Sequence, residues 1–459
     1  MSVSEPLLSA CRGIVGDRHV VTDRERLEPF GHDETPGLAP VLPDAVVRPG
    51  SAAEVSLLLQ ACSALDVPVT PRGGGTGHSG GCVAINGGIV LAFDRMQRIL
   101  DLSPDDLTID VEPGVVLKDL HAAVEERGLF YPPDPGSLDS CTLGGNVAEN
   151  AGGPRALRYG VTRDYVLGLD VVLPSGERLR IGKRTVKGVS GYDLTSLIVG
   201  SEGTLAVITG ITLKLIPRPR SVSTALVTFD SAARAAAAIS ALFSHGILPR
   251  TLEYMDGRSI DAVRPTAPFR FPENIDAALI VETDGDDAEA TLAQLARAVE
   301  ILDQAGARST LIAQDARQQR DLWTSRRGLT EATRKIRRIK IAEDIAVPRR
   351  RIPEALARVA ELGERFGVLT AAYGHAGDGN LHVQILFDDE AQRPAVELLL
   401  HEVMALAIEL GGTLSGEHGI GIAKKKFMPL EHSAGALDLM RRVKQAFDPA
   451  GILNPGKIF

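Results

Sequence analysis

The stretch PRGGGTGHSGG, residues 71–81, follows directly on a predicted strand at residues 67–70. So many glycines let the backbone N–H groups turn toward one anion, as they do in a nest. The stretch lacks the Gly-Lys-Ser/Thr of a Walker loop and does not open a helix as a dinucleotide fingerprint does. The sequence therefore predicts a phosphate-binding loop here, with a flexible surface loop as the alternative.

Two further glycine clusters follow, PGSLDSCTLGGNVAENAGG at 135–153 and GSEGTL at 200–205. Each lacks large side chains at places where a flat ligand can lie against the backbone. Short β-rich runs surround them, and a helix is predicted over residues 115–127, ending before Gly128. Three such clusters in one β-rich domain indicate a single large bound ligand.

Length and composition narrow the class of protein. The chain has 459 residues, more than one core usually supports, so two or more domains are expected. Its net charge of −9 and a pI of about 5.7 argue against a nucleic-acid partner. No stretch is apolar enough to predict a membrane span, and we expect a cytoplasmic protein. The four cysteines form no CxxC pair, so redox chemistry needs a bound cofactor.

The pattern changes after Pro217 and Pro219 to longer strands alternating with helices, which is typical of an α+β domain. Within it, GHAGDGNLH at 374–382 places His375 at the end of one strand and His382 in the next. A Gly-Asp-Gly turn between them can bring both imidazoles to one point. Asp378 and Asn380 fit turn formation and are left outside the metal set.

A second motif, GEHGIG at 416–421, adds a carboxylate and another histidine. His375, His382 and Glu417 form a borderline-hard donor set that suits Zn²⁺ best and also accepts Mn²⁺ or Fe²⁺. His418 then remains as a general base, if the flanking glycines bend the backbone between it and Glu417. The alternative is that these are unrelated histidines held by ordinary hydrogen bonds.

Taken together, these motifs resemble the FAD-linked oxidase family, with the vanillyl-alcohol-oxidase or PCMH-type flavin fold. The resemblance runs from about Val46 to LNPGK at 453–457, and it points to the branch of D-lactate and D-2-hydroxyglutarate dehydrogenases and the glycolate oxidase flavin subunit. It implies an α+β fold: a two-lobed FAD domain at 1–220, a ferredoxin-like substrate and metal cap at 221–425, and a C-terminal segment at 426–459 that returns to the FAD domain.

The resemblance also implies the FAD-binding residues. The first loop should hold the pyrophosphate, the later clusters should line flavin and adenosine, and the C-terminal asparagine should return to the flavin. These residues are Arg72, Gly73, Gly74, Gly75, Thr76, Gly77, His78 and Ser79, then Pro135, Ser137, Thr142, Leu143, Gly144, Asn150, Gly152 and Gly153, then Glu202, Gly203 and Ile208, and Asn454. His78 lies two positions beyond the family's covalent histidine, so non-covalent FAD is expected.

Substrate residues are carried over in the same way. The family's substrate arginine follows a tryptophan by three positions, which gives Arg326 after Trp323. Thr330 is expected one turn further on the same helical face, and Lys340 is a looser match. Gln384 stands where some hydroxyglutarate-specific relatives carry Asn, which puts that substrate in doubt.

The implied activity is dehydrogenation of a D-2-hydroxy acid, with hydride passing to flavin N5 and electrons to a separate quinone, cytochrome or electron-transfer flavoprotein. The basic run at 334–340 can dock on the inner face of a membrane or on an acidic carrier. A homodimer is left open. The rivals are a non-redox flavoenzyme resembling the ether-lipid synthase, a metal hydrolase that binds a nucleotide, and a subunit of a larger oxidase.

Overall fold

The structure is a computed structural model that describes residues 3–459. Its helices are α1 Glu5–Val15, α2 Arg24–Leu27, α3 Ala52–Ser63, α4 Leu117–Glu125, α5 Leu143–Glu149, α6 Ala156–Tyr159, α7 Leu194–Ile198, α8 Ala232–Ser244, α9 Gly257–Val263, α10 Ala288–Gln304, α11 Ala316–Arg327, α12 Leu329–Arg334, α13 Ile352–Phe366, α14 Arg393–Glu409, α15 Met428–Glu431 and α16 Ala434–Phe447.

The strands are β1 Val20–Val21, β2 Ala45–Val47, β3 Val69–Arg72, β4 Ile89–Ala92, β5 Ile99–Ser103, β6 Thr108–Val111, β7 Leu129–Phe130, β8 Val166–Val172, β9 Arg178–Gly182, β10 Val207–Lys214, β11 Ile216–Pro217, β12 Ser221–Phe229, β13 Thr251–Asp256, β14 Ala277–Gly285, β15 Ser309–Ile312, β16 Ile339–Ala346, β17 Leu369–His375 and β18 Asn380–Phe387. Among residues 3–459, no helix has the length and apolar character that crossing a membrane requires.

The chain divides into two compact units. The first comprises the chain up to Gly152 together with Val161–Arg218 and Glu417–Phe459, and the second comprises Gly153–Gly160 and Pro219–Gly416. The second unit therefore ends before the predicted division at 425 and includes a short excursion from the first half of the chain. In that excursion, Tyr159 Oη donates to Asp284 Oδ2 at 2.8 Å and Arg158 pairs with Asp284 Oδ1 at 2.8 Å.

The first unit has two main sheets, which gives it two lobes. One sheet has the order β1-β2-β4-β3, with β2, β4 and β3 parallel, and the other is antiparallel with the order β5-β6-β10-β8-β9. The parallel strands are apolar on both faces, as expected for strands covered on both sides. The chain end joins this sheet, because Asn454 N donates to Val69 O at 2.7 Å.

The second unit is built on a seven-stranded antiparallel sheet with the order β15-β12-β14-β13-β17-β18-β16. Apolar side chains of β13, β14 and α9, α11 and α12 form one core, including Met255, Ile280, Leu322 and Leu329. Because side chains alternate along a strand, Glu253 shares the face of Met255 in β13. This confirms the predicted α+β class.

Candidate active site

The loop 71–81 packs its backbone directly against residues 140–142. A Cβ on Gly74 would lie 2.3 Å from Ser140 O, and one on Gly73 would lie 2.3 Å from Thr142 Oγ1. Only glycine fits at such distances. Among the described residues, no protein group accepts from the backbone N–H of Gly74, Gly75 or Thr76. These donors and the exposed glycine backbone fit the predicted anion-binding loop.

Buried polar atoms without protein partners surround this loop. They include Ser79 Oγ, Thr142 Oγ1 and Asn146 Nδ2, none of which has a hydrogen-bond partner within residues 3–459. Thr142 is the N-cap residue of α5, yet its hydroxyl does not cap the helix. Since buried polar groups are nearly always satisfied, these atoms fit a polar ligand such as FAD.

Three residues predicted to contact FAD have side chains that hydrogen-bond the protein's own loops. Arg72 donates to His32 O at 2.8 Å and to Pro29 O at 3.0 Å. Asn454 Nδ2 donates to Gly81 O at 2.8 Å and to Glu202 O at 2.7 Å. The Glu202 carboxylate accepts from the N–H groups of residues 420 and 421, each at 2.7 Å. Their side chains fix the loops whose backbone is exposed to a ligand.

The other predicted FAD residues lie on the same loops and on α5 and β10. Asn150 ends α5 in the left-handed conformation at φ 56°, Gly152 closes one segment of the first unit, and Gly153 opens the excursion that belongs to the second. The remaining residues are placed as follows: Gly77 and His78 in the first loop, Pro135 and Ser137 before α5, Leu143 and Gly144 in α5, Gly203 after α7, and Ile208 in β10.

A carboxyl pair of Glu149 and Glu202 lies beside this loop, and Glu149 was not among the residues predicted from the sequence. Burial raises the pKa of Glu149 well above its ordinary value, and the nearby Glu202 and Asp33 raise it further. Burial also raises the pKa of Glu202, although the N–H groups it accepts oppose this. Gly419 passes so close that a Cβ there would lie 2.3 Å from Glu149 Oε2, and its φ is +81°. The segment around His418 therefore depends on a glycine for its path.

His418 lies in this segment, partly exposed. Its ring centroid is 4.7 Å from that of His78, with the planes tilted by 34°. The backbone beyond it is held to the first loop, since Ile422 N donates to Ser79 O at 2.8 Å. The structure thus brings His418, predicted as the base, beside the loop predicted to hold the pyrophosphate.

In the second unit, the hairpin of β17 and β18 brings the two metal-motif histidines together as predicted. The rings of His375 and His382 lie 5.3 Å apart in an edge-on arrangement. The turn between them needs Gly379, whose φ is +95° and whose Cβ would lie 2.1 Å from Val347 O. Tight turn geometry therefore sets the spacing of these imidazoles.

Glu417 follows directly in the chain on Gly416, the last residue of the second unit, whose Cβ position lies 2.5 Å from the Asn380 side chain in the hairpin. The candidate ligand atoms of His375, His382 and Glu417 all lie within 4.8 Å of one another. Two imidazole nitrogens and one carboxylate oxygen at this spacing fit a divalent cation with open positions.

A buried acid binds two of the three guanidinium nitrogens of the predicted substrate arginine. Arg326 Nε and Nη2 each lie 2.7 Å from Glu253 Oε2, and the guanidinium stands 5.0 Å from the Tyr373 ring centroid. Glu253 Oε1 lies 2.7 Å from His375 Nδ1. Burial raises the pKa of Glu253, but His375 and Arg326 outweigh it and lower the pKa below its ordinary value.

Thr330 was predicted to lie on the same helix as Arg326, and this prediction is wrong. Helix α11 ends at Arg327 and α12 begins at Leu329, with Gly328 as the break between them. Thr330 is nevertheless held near the same ring, with its Oγ1 3.2 Å from Tyr373 Oη. Arg326 and Thr330 are therefore related by their contacts with Tyr373 and not by a shared helical face.

Lys340 and Gln384 lie on neighbouring strands, β16 and β18. Lys340 Nζ donates to Thr330 O at 3.0 Å and to Thr333 Oγ1 at 2.9 Å, and burial lowers its pKa to about 8, with Arg334 adding to the effect. Gln384 is buried, and neither amide atom has a partner in the described part of the chain. An unpartnered amide of this kind is suited to a polar ligand.

Glu253, Arg326, His375, Thr330 and Tyr373 contact one another and form the charged cluster of the second unit. Two of its residues, Glu253 and Tyr373, were not predicted from the sequence. The available signal was an acid inside the apolar strand motif RTLEYMD and a tyrosine two positions before His375. Two arginines of the basic run at 334–340 pair with acids, Arg334 with Glu331 at 2.8 Å and Arg337 with Asp388 at 3.3 Å.

Two family models match the chain. The model for the C-terminal domain of FAD linked oxidases covers residues 218–458, more than half of the chain, and the FAD binding domain model covers residues 43–182. Among solved structures, p-cresol methylhydroxylase with substrate bound aligns with a TM-score of 0.81 at 15% identity, covering 99% of this chain and 97% of the other. That likeness confirms the PCMH-type fold.

Three relatives with similar sequences indicate the branch of the family. Glycolate oxidase subunit GlcD of Bacillus subtilis is 40% identical over 434 residues, covering 94% of this chain and 92% of its own length. D-lactate dehydrogenase of Anaerostipes hadrus is 36% identical, with 97% and 95% covered. D-2-hydroxyglutarate dehydrogenase of Xanthomonas citri pv. viticola is 35% identical, with 100% and 98% covered. The chain therefore belongs to the FAD-linked oxidase family, as an oxidoreductase of the branch that holds these three relatives.

Proposed function

We propose that this chain is an FAD- and divalent-metal-dependent dehydrogenase that oxidises a D-2-hydroxy acid, such as D-lactate or D-2-hydroxyglutarate, to the 2-oxo acid. The observation that carries the proposal is the grouping of His375, His382 and Glu417 within 4.8 Å. The relatives named for lactate, hydroxyglutarate and glycolate support the class of substrate.

The metal proposal depends on the chemistry of the donor set. His375, His382 and Glu417 would hold Zn²⁺ or, with similar ligands, Mn²⁺ or Fe²⁺. A divalent ion held by these residues would supply Lewis acidity, which would lower the pKa of a hydroxyl group bound beside it. The close packing of Gly379 and Gly416 restricts the backbone beside His375, His382 and Glu417, the residues that would hold the ion.

The substrate's carboxylate and chain are assigned to the charged and polar side chains around Tyr373. Arg326 keeps Nη1 for an outside acceptor, since its other two nitrogens face Glu253. Lys340 carries positive charge below about pH 8. Thr330 Oγ1 and the unpartnered Gln384 amide supply further hydrogen bonds to a polar substrate. These groups recognise an anion with a polar extension.

His418 is assigned as the general base that takes the hydroxyl proton. FAD held by the loops of the first unit would supply the hydride acceptor for the hydrogen on the substrate's Cα. One proton and one hydride thus leave the hydroxy acid, which becomes the 2-oxo acid, and the two electrons pass on to a separate acceptor. The acceptor is a quinone, a cytochrome or an electron-transfer flavoprotein, and the GlcD relatives support a place in a larger assembly.

An anaerobic screen tests this function. Purified protein is mixed with D- and L-lactate, D-2-hydroxyglutarate, glycolate and longer hydroxy acids, and the flavin absorbance near 450 nm is followed. We expect rapid bleaching by at least one D-2-hydroxy acid and FAD release on acid denaturation, as for non-covalent flavin. Bound flavin that no 2-hydroxy acid bleaches would favour the non-redox synthase-like alternative, and absence of flavin would favour the hydrolase.

A further inference from the structure

Glu253 is a fully buried acid at the centre of the second unit's charged cluster. Its side chain has no exposed surface, and it lies in β13 between apolar neighbours. Strand β13 pairs with β17 so that Tyr254 faces Gly374. One step along this antiparallel register, Glu253 faces His375. Sheet pairing therefore brings the acid and the histidine together.

The two carboxylate oxygens of Glu253 contact different residues. Oε1 lies 2.7 Å from His375 Nδ1, whereas Oε2 receives both Nε and Nη2 of Arg326 at 2.7 Å. A carboxylate only accepts hydrogen bonds, so His375 must carry its proton on Nδ1. In this tautomer, Nε2 of His375 carries the lone pair and is the ring nitrogen that can bind a metal.

The same acid limits how Arg326 can act. Two of its nitrogens are held by one oxygen, and the guanidinium plane is fixed above Tyr373. Among residues 3–459, Nη1 has no protein acceptor. The position and direction of that remaining donor pair are therefore set by Glu253.

We propose that Glu253 is a positioning residue that holds the metal-binding tautomer of His375 and the substrate-facing orientation of Arg326 at once. The proposal rests on the proposed function for the roles of those two partners. Its consequence is that one carboxylate links metal affinity to recognition of the substrate carboxylate, although it touches neither ligand.

Glu253→Gln is the sharpest test, because the amide keeps the shape but must turn an NH₂ group toward one partner. Facing His375, it forces the proton onto Nε2; facing Arg326, it opposes two donors. We expect Zn²⁺ affinity, measured by competition with a chromophoric chelator on the flavin-loaded protein, to fall about 10- to 100-fold. The KM for the hydroxy acid should rise with it.

Glu282→Gln is the matched control. Glu282 is a buried acid in the neighbouring strand β14, where it accepts from Trp323 Nε1 at 2.6 Å and Thr224 Oγ1 at 2.7 Å. It bonds neither His375 nor Arg326, so Zn²⁺ affinity should stay within about twofold of wild type. Glu253→Asp keeps an acceptor-only group and should recover part of the affinity that the glutamine loses.

Equal Zn²⁺ affinity in Glu253→Gln and Glu282→Gln would overturn the proposal, as would an aspartate variant no better than the glutamine. If Glu253→Gln fails to fold, Glu253→Asp is the test. Wild-type Zn²⁺ affinity and wild-type KM in the aspartate variant would contradict the proposal, because they would show that the length and direction of the acid do not matter. The Zn²⁺ comparison also stands alone: a wild type that no hydroxy acid reduces contradicts the proposed function, not this inference.

Discussion

The first unit's loops and the second unit's charged cluster prepare binding in opposite ways. Around residues 71–81, glycine backbone is left open, while Arg72, Glu202 and Asn454 are used to hold the loops in place. In the second unit, Arg326 and the two hairpin histidines are the proposed binding groups, and Glu253 contacts Arg326 and His375. Binding at the first region should therefore weaken when side-chain atoms are added, and binding at the second should weaken when a charge is removed.

The largest expected effect comes from His418→Ala, which removes the proposed base and leaves the loop glycines in place. Flavin reduction by the best hydroxy acid should slow by about 10²- to 10⁴-fold, the usual contribution of a positioned base. Stopped-flow bleaching measures this, with FAD and metal content as controls. A variant that keeps wild-type bleaching would remove His418 from the mechanism.

Adding one methyl group to the first region should come next. Gly74→Ala places a Cβ 2.3 Å from Ser140 O, so the loop must move. Overpacking of this kind costs about 1–3 kcal/mol, which corresponds to roughly 5- to 150-fold weaker FAD binding. Fluorescence titration of FAD gives the value.

The matched control for that change is Gly136→Ala in the second glycine cluster, where a new Cβ meets nothing within 4 Å. Its FAD affinity should equal that of the wild type. If both variants bind FAD alike, the close packing of the first loop does not govern cofactor binding.

A smaller effect, dependent on pH, is expected from Lys340. Its pKa of about 8 means that it is charged below this pH and neutral above it. If it recognises the substrate carboxylate, the KM should rise above about pH 8, by up to about tenfold per pH unit. Lys340→Met should raise the KM at neutral pH and flatten this dependence, whereas Lys335→Met, at an exposed position, should leave both unchanged.

The smallest effect should come from Glu149→Gln. Because the folded state raises the pKa of Glu149, the stability linked to its proton is full below the ordinary carboxyl pKa and is lost as pH rises toward the folded value. Glutamine stays neutral, so the Tm of the variant relative to wild type should increase as the pH rises above the ordinary carboxyl pKa. A constant difference would show that Glu149 does not titrate as described.

Local features of the active site were predictable from sequence, and its cross-strand partners were not. The His375 to His382 hairpin follows from two strands and a glycine turn, all within a few residues. Glu253 lies 122 residues from His375 and meets it only because β13 pairs with β17. Likewise, the break at Gly328 has an ordinary φ of −68°, so its residue type gives no clear sign of it.

The loop residues show the same limit. Glycine patterns predicted where a ligand fits, but which polar side chains face it depends on long-range partners. Asn454 and Glu202 bond atoms far away in sequence, so their holding role was not visible from the motifs. The alternation of glycine and polar residues could not distinguish a ligand contact from a loop contact.

Removal and return of the metal tests whether substrate oxidation depends on a divalent ion. Wild-type protein with bound FAD is treated with a chelator, mixed anaerobically with its best D-2-hydroxy acid, and then supplied with Zn²⁺ or Mn²⁺. We expect the flavin to stay oxidised after chelation and to bleach once metal returns, whereas the flavin of His382→Ala should stay oxidised throughout. Unchanged bleaching in fully chelated protein, with metal absence verified by elemental analysis, would contradict the proposed metal dependence.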